Sequence, residues 1–78
     1  MILQLTSSSL IAINPDNTKD LPNITKAIFI GTGGDVNIIA AHDDTPVSIY
    51  VQSGTLLPIR AKKILSSGTT ASNIVGLL

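Results

Sequence analysis

Turn-forming residues punctuate this chain at intervals that leave little room for a helix of ordinary length. They cluster at Asn14-Pro15-Asp16-Asn17, Leu21-Pro22-Asn23, Gly31-Thr32-Gly33-Gly34-Asp35, His42-Asp43-Asp44-Thr45-Pro46, Ser53-Gly54 and Ser66-Ser67-Gly68-Thr69-Thr70. The stretches between them are rich in branched side chains. Ile, Val and Thr supply 24 of the 78 residues and glutamate is absent. Branched residues lose rotamer freedom in a helix and pack well on a pleated surface. Short β-type segments between regularly spaced turns predict an all-β fold, a single small antiparallel β-sandwich or barrel of about six short strands.

The strands are expected near residues 9–13, 25–30, 36–41, 47–52, 56–65 and 73–77. Val47, Ile49 and Val51 alternate with Ser48, Tyr50 and Gln52, the mark of a half-buried strand. In the second strand Ile24, Lys26, Ile28 and Ile30 alternate with Thr25, Ala27 and Phe29. Both of its faces are apolar, which predicts a central position. In the fifth, Lys63-Ile64 reverses the phase set by Ile59 to Lys62, as a β-bulge near Lys63 would do. Pro46 and Pro58 lack an amide donor and are expected at a strand start and at an edge or bend. Residues 1–13 are read as an N-terminal arm and first strand, and residues 14–78 as a compact β domain.

Size then limits what such a domain can do alone. For 8.1 kDa, folding buries roughly 60% of the chain's surface. That yields about 110 kcal/mol at ~25 cal/mol/Å², against about 115 kcal/mol of conformational entropy. The balance is near zero, and small domains usually add disulfides, a metal or a partner chain. With no cysteine and one histidine, disulfides are excluded and a metal centre or other cofactor is not expected. A partner chain is the expected support. Charged residues make up only 13% of the chain, about half the usual share, and mean hydropathy is +0.42. Such a surface is expected to be partly hidden against neighbours. Zero net charge gives no field to draw nucleic acid or an anionic membrane, so neither is an expected partner. The first residues lack a basic run before their apolar ones, so a signal peptide is not expected and synthesis is placed in the cytoplasm.

Both ends are apolar: Ile2, Leu3 and Leu5 at one, Leu77 and Leu78 at the other. Chain ends are ordinarily polar and frayed unless docked. These five residues are therefore candidate contacts with another chain, docking on the domain's own surface being the alternative. Arg60, Lys62 and Lys63 hold three of the five positive charges. They read either as a solvated face that blunts a strand edge or as a contact to an acidic neighbour.

Two motifs have residue types that invite a chemical reading. Gly31-Thr32-Gly33-Gly34 follows a strand, but Val36 stands where a dinucleotide loop needs glycine, and no helix follows. A glycine-rich hairpin loop is the expectation. His42-Asp43-Asp44 has catalytic residue types, yet adjacent residues rarely converge, and Asp before Thr-Pro is an ordinary turn. A minimal hydrolase using His42 and a serine would lack a nucleophile elbow. A binding module for surface glycans would have only Phe29 and Tyr50 as rings. No enzymatic activity is expected.

Asp20-Leu21-Pro22 and the run Lys26-Ala27-Ile28-Phe29-Ile30-Gly31-Thr32-Gly33-Gly34-Asp35-Val36 resemble the first half of a small phage protein family. Gly54-Thr55-Leu56-Leu57-Pro58-Ile59-Arg60-Ala61-Lys62-Lys63-Ile64 and Ser67-Gly68-Thr69-Thr70-Ala71 resemble its second half. The family is the head spike base protein of tailed phages and gene transfer agents. The resemblance spans about residues 14–78, and departs at His42-Asp43-Asp44-Thr45, where the family often has a glycine-containing turn. It implies a non-enzymatic virion protein on the capsid surface, at vertices, with the major capsid protein and a spike or fibre protein as partners. It assigns no individual binding residue. A fivefold vertex accepts a ring of five without symmetry mismatch, so a homo-oligomeric pentamer is the expected state. The alternative is a capsid cement or decoration protein at capsomer junctions, for which a trimer is expected.

Overall fold

The computed structural model describes residues 8–78. Among them lie seven strands: β1 (Leu10–Ile13), β2 (Ala27–Thr32), β3 (Gly34–Ala40), β4 (Val47–Val51), β5 (Thr55–Leu57), β6 (Ala61–Leu65) and β7 (Ser72–Leu77). They form two antiparallel sheets, a four-stranded one ordered β1-β7-β2-β5 and a three-stranded one ordered β4-β3-β6. The all-β expectation holds, as a sandwich. Between the sheets Ile13, Ile28, Ile30 and Ile74 pack with Val36, Ile38, Val51, Ala61 and Ile64. β2 is central in its sheet, as its composition predicts.

The sequence reading of the connections needs correction. Among the described strands, β3 and β4 are the one pair of sequence neighbours joined as a hairpin, through residues 41–46. The links β2–β3, β4–β5, β5–β6 and β6–β7 each pass from one sheet to the other. Gly31 to Gly34 is therefore not a hairpin loop but a corner, with Gly33 alone between β2 and β3. Its backbone lies against the β4–β5 corner, where the Gly33 amide donates to Ser53 Oγ at 2.8 Å. A Cβ on Gly33 would stand 2.6 Å from the Ser53 nitrogen. The Gly54 amide in turn donates to the Ile30 carbonyl at 2.8 Å, and Gly54 adopts φ 78°. The two corners are thus tied together.

Thr69-Thr70-Ala71, which follows the turn at Gly68, lies outside β7. It runs beside β3 where β6 has ended, and the Asp35 and Asn37 amides donate to Thr70 Oγ1 and Thr69 Oγ1. Threonine hydroxyls here stand in for the carbonyls of a missing strand.

The expected strand 56–65 is two strands in different sheets. Pro58, Ile59 and Arg60 make the crossing, the bend expected of Pro58. The bulge is present: Ile39 pairs with Lys63 and Ala40 with Ala61, so Lys62 is the extra residue. At the crossing Thr25, 1% exposed, has its hydroxyl between the two sheets. It donates to the Ile59 carbonyl at 3.1 Å and accepts the Ala61 amide at 3.0 Å.

Two stability outcomes follow. Thr25→Val keeps the side chain's shape but strands one buried donor and one acceptor, and should cost about 1–3 kcal/mol in urea unfolding. Gly33→Ala forces backbone apart and should cost more than Gly54→Ala. The latter meets nothing within 4 Å and carries only the left-handed penalty of about 1–2 kcal/mol.

Candidate interaction surfaces

Strand pairing dictates which side chains leave the sandwich on its outer faces. In the four-stranded sheet the buried Ile28 and Ile30 point inward, so their neighbours Ala27, Phe29 and Gly31 point out. Register carries this across the sheet. One outer row is Leu10, Leu77, Ala27, of which Ala27 is itself fully enclosed, and the next is Ala12, Val75, Phe29, Leu56. Every residue of both rows is apolar. Leu10 is 69% exposed, Leu56 40% and Phe29 39%. The face ends at Asn73, whose amide donates to Thr32 Oγ1 at 2.9 Å. Asn73 lies so close over Gly31 that a Cβ there would be 2.8 Å from the Asn73 Cβ.

The other outer face is chemically different. On the three-stranded sheet Tyr50 lies opposite Asp35, Ser48 opposite Asn37, and Lys63 opposite Ile39. Asn37 is tied to the Ser67 carbonyl through its amide group. This face is mostly polar, and the sandwich is two-faced.

The free edge of β6 is closed by the segment linking β1 to β2. Asp16, Leu21 and Thr25 amides donate to the carbonyls of Ile64, Lys62 and Ala61. Asp16 organises this segment: its Oδ1 accepts the Thr18 and Lys19 amides and the Thr18 hydroxyl. Those bonds hold its carboxyl below the usual aspartate range, the Thr18 amide contributing most.

Ile2, Leu3 and Leu5 lie outside the described residues. Leu77 is on the apolar outer face, on a strand that lies inside its sheet between β1 and β2. The Leu78 amide donates to the Ser9 carbonyl at 3.0 Å. The basic residues do not form one free patch. Lys62 Nζ donates to the Asp43 carbonyl at 2.9 Å and lies 3.9 Å from the Asp44 carboxylate. Lys63 reaches the other way, to Asp20 at 3.5 Å. Arg60 is exposed on the crossing between β5 and β6. His42, Asp43 and Asp44 form the β3–β4 turn, with the Asp43 amide donating to the Ala40 carbonyl. Among the described residues no three His, Asp or Glu side chains gather as a metal site.

The sequence marks none of Leu10, Ala12, Leu56 and Val75 as contacts, and Phe29 only as one of two rings. A signal for them exists. Leu56-Leu57 puts two leucines side by side on a strand, so one must face outward.

Comparison with known proteins supplies a strong likeness. A chain of a solved structure, the capsid of a native GTA (gene transfer agent) particle computed with C5 symmetry, is 28% identical to this one. The two superpose with a TM-score of 0.86, over 99% of this chain and 92% of that one. No protein-family model matches the chain, and no curated protein matches it.

The Asp16 carboxylate gives a pH dependence. A lowered folded-state value means its contribution is complete above the ordinary aspartate range and is lost as pH falls through the lower value. Melting temperature should therefore drop as pH falls below the ordinary aspartate range. In Asp16→Asn, which keeps an acceptor oxygen but cannot titrate there, that part of the drop should vanish from the same melting series.

Proposed function

We propose that this chain is a non-enzymatic structural component of a phage-like particle, the capsid-bound base of a head spike that anchors a fibre protein. The observation that carries the reading is the end-to-end likeness to a chain of a native GTA capsid, with 28% of residues shared. The two-faced sandwich supports the same reading, since an apolar outer face without a charged side chain suits burial in an assembly.

On this reading the partners are the major capsid protein on one side and the spike or fibre protein on the other, at the capsid surface. A ring of five copies matches a fivefold vertex, and each contact in such a ring is heterologous. Ile2, Leu3, Leu5, Leu77 and Leu78 supply apolar contact. Of the basic residues, Arg60 is the one best placed to meet an acidic neighbour, because Lys62 and Lys63 are already engaged.

Copy number per particle tests the proposal. In purified particles, quantitative gel densitometry should find this chain at a few copies per vertex, far below the major capsid protein. Near-parity with the major capsid protein, with a trimeric mass in solution, would assign it to cement at capsomer junctions. Absence from particles would remove the virion role.

A further inference from the structure

Apart from Ile24 in the segment before β2, the large apolar side chains exposed among the described residues fall into two groups. Leu10, Phe29 and Leu56 lie on the outer face of the four-stranded sheet. Val47 and Tyr50, 56% and 72% exposed, lie on β4 in the other sheet. β4 is an edge strand, paired with β3 on one side and, among the described strands, with none on the other. Its five residues, Val-Ser-Ile-Tyr-Val, carry no charge, proline or bulge, the devices that usually blunt an edge. The β6 edge, by contrast, is closed by backbone bonds from Asp16, Leu21 and Thr25.

The size of the apolar face limits how it can be covered. Four strands at ~4.8 Å spacing and about six residues at ~3.4 Å rise give roughly 350 Å². Two copies packed face to face would bury about 700 Å² in one contact, below the ~1,200 Å² at which specific interfaces begin. A contact of that size holds when it is repeated. In a closed ring each copy makes two contacts, and the last to form joins parts already tethered.

The directions of the two groups favour a ring. A sheet's edge points within its own plane, and the other sheet is stacked on that plane. The β4 edge and the outer face of the four-stranded sheet therefore look out about 90° apart. The two contacts of one copy stand about 60° apart in a ring of three, about 90° in four, about 108° in five and about 180° in a filament. Edge on face thus suits a ring of four or five better than a trimer or a fibre.

We infer that the β4 edge of one copy, with Val47 and Tyr50, packs on the outer face of the β1-β7-β2-β5 sheet of the next, against Leu10, Phe29 and Leu56. Neither surface carries a charge, so the contact buries no unpaired ion. The inference deepens the proposed function by naming the surfaces that join the copies, and it rests on that reading for the number five.

The chain has no cysteine, which makes disulfide trapping clean. Tyr50 and Phe29 point away from each other on different sheets, so a disulfide between these positions has to join two copies. Tyr50→Cys protein mixed with Phe29→Cys protein under mild oxidation should give a two-chain species at twice 8.1 kDa. Neither variant should link to itself. The double variant should give a ladder that ends at a closed ring of five. Leu10→Cys, at a more exposed position, takes the place of Phe29→Cys in case the latter fails to fold. Leu10→Asp and Val47→Asp should each lower the light-scattering mass from that of the ring to that of one chain, with circular dichroism unchanged. No link between the two cysteine variants overturns the inference. So does a dimer of Phe29→Cys alone, which sets face on face, or of Tyr50→Cys alone, which sets edge on edge. Unchanged mass in both charge variants also overturns it and gives the face to the capsid protein. A ladder ending at four upholds the contact and removes the fivefold vertex, whereas one that never closes overturns the ring. These readings come from purified protein, so they stay separate from the copy-number assay that tests the virion role.

Discussion

One hydroxyl holds the place where the chain leaves one sheet for the other. Thr25 donates to the Ile59 carbonyl and accepts the Ala61 amide, so a single buried side chain spans the bend between β5 and β6. Without a partner there, the crossing would bury unpaired backbone groups beside Ala61 and Ile64, which are almost wholly enclosed. The crossing decides the rest of the architecture. It gives β5 to the four-stranded sheet and β6 to the three-stranded one, and it sets β6 between β3 and the segment that Asp16 organises.

Corners of this kind explain how a chain of 78 residues closes a two-layer core. Four links pass between the sheets, and each is fastened by a side chain or a tight glycine rather than by a strand pair. Ser53 receives the Gly33 amide. Thr69 and Thr70 receive amides of β3. Asn17 and Ser67 bond to each other across the β6 edge. Small polar residues at the corners thus do two jobs, turning the chain and satisfying the amides exposed by the turn.

Charge is used locally in the same way. Lys62, the bulged residue, and Lys63 next to it reach partners on opposite flanks of β6. Exposed pairs of this type add little stability, but they occupy two of the few charges available. The outer face of the four-stranded sheet is left with none. Its apolar character follows from that distribution, and it is the feature that most clearly fits life inside an assembly.

Strand content was legible in the sequence because alternation and turn residues are local properties. Val47 to Val51, the central β2, the bulge beside Lys63 and the bend at Pro58 all follow from side-chain period and proline chemistry. What the residues could not show was which strand pairs with which. A glycine-rich turn looks the same whether the chain folds back on its neighbour or climbs to the other sheet, since both need compact backbone without a Cβ. Gly31 to Gly34 reads as a hairpin loop for that reason. The apolar outer face was hidden on the same account. Ala12, Val75 and Phe29 are far apart in sequence, and register alone sets them in one row. Composition determined that this chain makes strands. Pairing at a distance, fixed by buried hydrogen bonds such as those of Thr25, decided where they go and which apolar side chains remain outside.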